Sequence, residues 1–318
     1  MECRICHSVG EHKTYQVKEL MLGIRDEHQY FQCSGCGCLQ IDQIPENLPE
    51  YYPSENYYSY DAPDNGNWLK QQLVKQRDNY ATTGNSLPGR LLNLLMPNAK
   101  LSTLRPLNIS EQSRILDVGC GAGILLHSLR NIGFQNTLGI DPFNEQDIQY
   151  PNGLQIKKRD IFSEEGEWDV IMFHHSFEHL PEQQRTLEKA YSQLTPGGTA
   201  LLRVPTVSSY AWQHYGVNWS QLDAPRHLFL HSVESIEKLA GQTGFTVEQV
   251  AYDSNAFQFW GSEQYEQDIP LRSEQSWAEN KEKSPFNAKE IKAFERRSRE
   301  LNALNQGDQA AFYLRKPA

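Results

Sequence analysis

From Ser110 onward the chain alternates short apolar runs with stretches whose apolar residues recur at helical spacing. The runs at 114–118, 137–140, 154–157, 169–173 and 199–204 predict strands buried in a parallel sheet. Between them, 123–132, 182–194 and 233–241 predict helices, with Gly133 and Gly244 standing where C-terminal caps are expected. Upstream, 68–80 and 88–95 also read as helices. Pro88 opens the second, in the first turn, where its missing N–H costs nothing. Two late strands are expected at 245–252 and 310–315, separated by a polar, charge-rich and partly helical insertion at 255–306. This alternation predicts an α/β doubly wound fold with a mostly parallel sheet.

The first 44 residues follow another pattern. Cys3-Arg4-Ile5-Cys6 and Cys33-Ser34-Gly35-Cys36 flank a polar and aromatic stretch that alternates like a β-hairpin. Two turns that each present a pair of thiolates close a tetrahedral site, and bound Zn²⁺ then replaces the core that so small a unit cannot build. Cys3, Cys6, Cys33 and Cys36 are the expected ligands of a structural zinc, with His7 and Cys38 near enough to substitute and Cys38 read as a spare. From Pro45 to Asn67 no period is visible. Tyrosines abound there, in Tyr51-Tyr52-Pro53 and Tyr57-Tyr58-Ser59-Tyr60, so the stretch reads as a connector packed on a neighbouring surface, an inter-domain wrap or a lid. The expected organisation is a zinc-ribbon-like module at 1–44, the Tyr-rich connector and helices at 45–109, and an α/β domain at 110–318.

Composition narrows the partners. A formal net charge of −10 over 318 residues argues against nucleic acid, whose backbone is held by clustered Lys and Arg. An apolar content of 38% is ordinary, and no run approaches the ~20 apolar residues of a membrane span, so no membrane partner is expected. The start Met1-Glu2-Cys3-Arg4 lacks a basic region followed by an apolar core, and the cysteines gather at one end of the chain. Both features point to a cytoplasmic protein.

Candidate chemistry begins where the first buried run meets glycines, in Ile115-Leu116-Asp117-Val118-Gly119-Cys120-Gly121-Ala122-Gly123. A strand entering such a bend and then a helix lets the main chain approach a ligand and offers free N–H groups to it. Asp141 ends the next predicted strand, about twenty residues on, where a carboxylate accepts ribose hydroxyls. The spacing departs from G-x-G-x-x-G, because position 124 is Ile, and Asp117 can face a charged amino-acid group, which favours S-adenosylmethionine over a nicotinamide dinucleotide. Residues Ile115 to Pro205 resemble the class I S-adenosylmethionine-dependent methyltransferase family, with its Rossmann-like sheet. That resemblance implies that Gly119 and Gly121 carry the methionine part of the cofactor, that Asp141 binds ribose, and that Asp160, in Arg159-Asp160-Ile161, meets the adenine amino group. Cys120, Ile161 and His174 would line the same site, and the Pro196-Gly197-Gly198 turn is also typical. The zinc pattern, the Tyr-rich connector and Asp223-Ala224-Pro225-Arg226-His227 further resemble bacterial methyltransferases of sugar and surface-polysaccharide pathways.

Acceptor chemistry should lie at the carboxyl edge of the sheet, where His174-His175-Ser176-Phe177-Glu178-His179 follows the fourth predicted strand. A neutral histidine near pH 7 can take the proton of an acceptor hydroxyl, and Glu178 can orient an imidazole. His175, His179 and His227 are the candidate bases. Glu178 and His179 have a plainer reading as caps of the next helix. In a second cluster, Trp219 is expected to stack on a sugar face or base, and Arg226 to hold a phosphate by paired hydrogen bonds; Asp223 and His231 stand beside them. The plainer reading packs Trp219 under the loop and pairs Arg226 with local acidic groups. A nucleotide-linked sugar would suit these residues as small-molecule acceptor. Alternatively, His175, Glu178, His179 and His227 bind a second divalent metal, an arrangement that resembles metal-dependent methyltransferases of small RNA termini and ubiquinone precursors, with His175 in place of an acidic ligand. A binding protein that keeps the fold only as a scaffold is the reading from another functional class.

Overall fold

A computed structural model of the chain describes residues 1–52 and 67–318. Strands β1 (Lys13–Lys18), β2 (Glu27–Gln32) and β3 (Leu39–Ile41) form an antiparallel sheet, β1 and β2 being the hairpin between the two cysteine pairs. Helices α1 (Trp68–Thr83), α2 (Leu87–Leu95) and α3 (Ala99–Ser102) precede the second sheet. Then follow β4 (Ile115–Val118), α4 (Ile124–Asn131), β5 (Thr137–Ile140), β6 (Ile148–Gln149), β7 (Gln155–Lys157) and β8 (Trp168–His174). Next come α5 (Gln183–Gln193), β9 (Leu194–Pro205), α6 (Tyr210–Tyr215), β10 (Phe229–Leu230), α7 (Val233–Gln242) and β11 (Thr246–Tyr252). The chain ends with α8 (Phe257–Glu266), α9 (Ala288–Ala303) and β12 (Gln309–Arg315).

The large sheet runs β11-β12-β9-β8-β4-β5-β7-β6. Its centre, β9-β8-β4-β5-β7, is parallel throughout; β12 is antiparallel to both neighbours, and β6 is an antiparallel edge. The order reverses at β4, so the crevice beyond its carboxyl end is where a doubly wound sheet takes ligands. Each run expected as a strand is one. Strand β9 is longer than its periodicity implies, starting at Leu194 directly after α5 and absorbing the Pro196-Gly197-Gly198 turn. The 255–306 insertion resolves into α8 and α9, whose Phe259 and Leu301 join the core.

Residues 1–44 do not close on themselves. Strand β10 adds to β3 as a fourth strand, with Phe229 opposite Gln40 and Leu230 opposite Leu39. Cys3, Ile5, Tyr30, Leu39 and Ile41 share one continuous core with Phe177, Trp219, Leu228 and Phe229. Tyr51 is buried with its hydroxyl donated to Asp26 Oδ2 at 2.6 Å, and Tyr52 reaches His179, so the start of the connector packs on its neighbours. The Tyr57-Tyr58-Ser59-Tyr60 part of the expected connector lies outside the described residues. Among the described residues no helix is long and apolar enough to cross a membrane.

Candidate active site

The bend after β4 needs glycine for a specific reason. Gly119 has φ of 71°, and a Cβ there would fall 2.5 Å from Ser176 Cβ, so the segment after β8 lies directly on the bend. Ser176 Oγ donates to Val118 O at 2.6 Å and fixes that contact. Gly121, with φ of 55°, donates its N–H to Asp141 Oδ2 at 2.8 Å, and Phe143 N–H donates to Asp141 Oδ1 at 2.9 Å. The bend and the carboxylate at the end of β5 thus meet, as the spacing predicted. Cys120 stands between them, its thiol pushed up by burial and the nearby Asp117 and Asp141.

Asp117 is buried, and its Oδ1 has no hydrogen-bond partner among the described residues. Burial and the neighbouring Asp141 push its carboxyl up to about 8, against a smaller opposing pull from Lys100. A buried carboxyl in that state lacks a cationic partner, and the ammonium of an amino-acid ligand has the chemistry to supply one. His174 is comparable: both ring nitrogens are buried without partners among the described residues, and burial, with Arg203 beside it, holds it well below the usual histidine range. The glycine bend, the orphaned Asp117 oxygen and Asp141 together fit the amino-acid and ribose parts of S-adenosylmethionine. Asp160 is exposed and accepts from Ser163 N–H at 2.9 Å and Ser163 Oγ at 2.5 Å, a turn-capping role, while Ile161 is buried.

A second constellation follows β8. His175 sits at φ of 53°, in the left-handed region that non-glycine residues enter at a cost of ~1 kcal/mol. From there its Nδ1 meets Glu178 Oε1 at 3.2 Å. Glu178 is fully buried; burial pushes its carboxyl up, but the His175 hydrogen bond and the surrounding imidazoles prevail and hold it at about 2. Its Oε2 has no partner among the described residues. His179 Nδ1 lies 2.9 Å from Arg226 O, and His227 Nδ1 lies 2.7 Å from Gln221 O. A carbonyl can only accept, so both Nδ1 atoms carry a proton, and a neutral ring at either position keeps its lone pair on Nε2. Burial and His227 hold His179 at about 4, neutral at ordinary pH. Glu178, His179 and His227 each offer one ligand atom within 4.8 Å of the others. His175 stands outside that cluster and braces Glu178, so of the four residues expected to share a metal, three converge.

The expected acceptor-recognition residues are placed otherwise. Trp219 is fully buried, with its indole N–H donated to Asp308 Oδ2 at 2.9 Å, which leaves no ring face for a sugar or base. Arg226 is also fully buried: Nε and Nη2 donate to Asp223, Nη2 to Glu19 Oε1 at 3.0 Å, and Nη1 to Tyr51 O at 3.2 Å. Its guanidinium holds the loop to the N-terminal strands, and no fork remains for a phosphate. His231 is enclosed between Ser235 at 2.9 Å and Gln183 at 2.7 Å, and Asp223 is committed to Arg226. For Trp219 and Arg226 the plainer reading is the correct one. Glu19, the buried carboxylate that completes the Arg226 cluster, carries no local sequence signal, because its partner lies 207 residues away.

The cysteines form the third cluster. The thiols of Cys3, Cys6, Cys33 and Cys36 lie within 4.8 Å of one another, while buried Cys38 points to Leu39 O and exposed His7 to Glu2. The hydrogen bond from Cys36 pulls the Cys3 thiol down. Gln40 Nε2 at 3.1 Å and Ile5 N–H at 3.4 Å also donate to Cys3 Sγ. Four converging thiols with N–H donors around them fit a tetrahedral zinc site. This unit grips the segment bearing His227 directly: Tyr30 Oη donates to His227 O at 2.9 Å, and Ser232 Oγ to Cys36 O.

Comparison with known proteins shows the family of the chain. Residues 89–250, just over half of the 318-residue chain, match the family described as a methyltransferase domain. The chain is 32% identical over 95 residues to the ubiquinone biosynthesis O-methyltransferase of Colwellia psychrerythraea, covering 27% of this chain and 39% of that protein. It is 26% identical over 132 residues to the protein of the same name from Escherichia coli O157:H7, covering 36% and 55%. The chain therefore spans about half or less of these relatives' length. An S-adenosylmethionine-dependent methyltransferase structure from Archaeoglobus fulgidus superposes with a TM-score of 0.43 at 19% identity, covering 71% of this chain and 98% of that one.

Proposed function

The chain belongs to the methyltransferase-domain family, and from that premise we propose that it transfers a methyl group from S-adenosylmethionine to a hydroxyl of a small acceptor, assisted by a divalent cation held by Glu178, His179 and His227. The observation that carries this reading is the convergence of the His179 and His227 imidazoles with the buried Glu178 carboxylate, one ligand atom of each lying within 4.8 Å of the others. When bound, the cofactor supplies an electrophilic methyl on a sulfonium leaving group, and the cation lowers the pKa of the acceptor hydroxyl. Asp117 takes the cofactor's ammonium, Gly119 and Gly121 let the main chain approach its methionine part, and Asp141 accepts from its ribose. His175 holds Glu178 by hydrogen bond. The hydroxyl oxygen forms the new C–O bond as the C–S bond breaks, and Nε2 of His175, which is outside the ligand set and whose Nδ1 is taken by Glu178, receives the hydroxyl proton.

The relatives named for ubiquinone biosynthesis O-methyltransferases favour a phenolic hydroxyl. A nucleotide-linked sugar loses support, because Trp219 and Arg226 are committed to the core. The four-cysteine zinc is structural on this reading, as its ligands leave no open position. Metal analysis should find a second equivalent of divalent cation that His179→Ala with His227→Ala removes while the cysteine-bound equivalent stays. Transfer of a tritiated methyl to catechol-type acceptors should fall by ~10²-fold or more in that variant. Full turnover in the presence of chelator would overturn the cation's role.

A further inference from the structure

Among the described residues, the helices ahead of β4 carry an exposed apolar surface. On α2, Leu87, Leu91, Leu94 and Leu95 recur at helical spacing and are exposed, Leu87 at 85% and Leu94 at 79%, and Met96 continues the row. On α1, Trp68, Leu69 and Leu73 are each more than half exposed. A stripe of this kind ordinarily faces a core. It is not the seam between the two helices, because they cross at Gly89, where an added Cβ would fall 2.0 Å from Gln76 O. Elsewhere among the described residues exposed apolar side chains such as Val9, Phe143 and Leu304 stand apart in the sequence, which is normal for a protein surface.

Charge marks the same region. From 67 to 110 the sequence carries Lys70, Lys75, Arg77, Arg90, Lys100 and Arg105 against Asp78 alone, in a chain whose formal net charge is −10. Arg77 is paired with Asp78 and Arg105 with the Tyr80 and Ala81 carbonyls, while Lys70, Lys75, Arg90 and Lys100 stand at exposed positions. Leucines in a stripe, a tryptophan at one end and a basic rim are the features of helices that lie in the plane of an anionic lipid surface.

We infer that the α1–α2 hairpin docks this protein on a bilayer rich in anionic phospholipid, with Trp68 and the α2 leucines entering the headgroup boundary and the exposed Lys75 and Arg90 facing phosphates. This departs from the expectation of no membrane partner, which weighed only spans and whole-chain charge; peripheral docking needs neither a span nor a basic protein. A second copy fits less well, since a two-fold contact sets one basic rim against the other. Among the described residues, each of 68–73 is at an exposed position, which suits a fluid interface better than a fitted groove.

Flotation of the full chain with vesicles of phosphatidylcholine and phosphatidylglycerol in equal parts, against phosphatidylcholine alone, tests this directly. The protein should float with the anionic vesicles only, and less so at high salt. Leu91→Ser with Leu94→Ser and Leu95→Ser should cut the bound fraction by about tenfold, with circular dichroism and thermal midpoint little changed because these side chains are largely exposed among the described residues. Failure of the wild type to float at low salt, or equal flotation of the variant, would overturn the inference. So would a lipid-free dimer, seen by light scattering, that the variant dissolves while the wild type does not float; that result assigns the stripe to a second copy. No methyl donor or acceptor enters the assay, so its outcome is independent of the proposed reaction.

Discussion

Arg226 and Trp219 carry side chains suited to recognition, yet both hold the fold together. A guanidinium that is fully buried has to be paired, and Glu19, Asp223 and the Tyr51 carbonyl use its donors. Residue type allows both roles, and only burial, set by strands far away in sequence, separates them. Asp117, Gly119, Gly121 and Asp141 were legible because their spacing alone brings them to one bend. His231 offers a pH test at this scale. Burial lowers it to about 3 in the folded protein, whereas an unfolded histidine titrates near 6.5. At pH 7 both states are mostly neutral; as pH falls through ~6.5 the unfolded chain takes a proton that the folded one refuses, so stability is lost. This group should cost about 2 kcal/mol between pH 7 and pH 5. Urea titrations at both pH values should show that difference shrinking by a similar amount in His231→Gln, and an unchanged difference would remove His231 from the account.

At the scale of elements, the strands of the large sheet could be read because each is a continuous apolar run, while β10 could not. Its two residues, Phe229 and Leu230, are too few to show a period, and their partner β3 lies almost 190 residues earlier. That pairing joins the cysteine unit to the loop bearing His227, reinforced by the Tyr30 bond to His227 O. Loss of the metal should therefore be felt beyond the first 44 residues. Cys33→Ser with Cys36→Ser should lose one equivalent of zinc by metal analysis and lower the melting temperature of the whole chain in a single transition, since structural zinc sites contribute on the order of 10 kcal/mol. A separate low-temperature transition with an unaffected main one would mean that the cysteine unit folds by itself, contrary to the shared core.

Taken whole, the molecule sets a doubly wound sheet between a cysteine-rich unit that braces the acceptor loop and a basic, apolar helical hairpin that faces outward. The sheet was readable from periodicity, and so was the crevice at β4. The hairpin's role was hidden because a leucine stripe looks the same whether a core or a membrane covers it. Everything functional depends on the donor occupying the crevice between the bend after β4 and the carboxylate after β5. Calorimetric titration of S-adenosylmethionine into the full chain tests that most directly. The account predicts saturable one-to-one binding, weakened about 10- to 100-fold by Asp141→Ala, the loss expected when a charge-assisted hydrogen-bond acceptor is removed. No binding by the wild type, or undiminished binding by the variant, would contradict it.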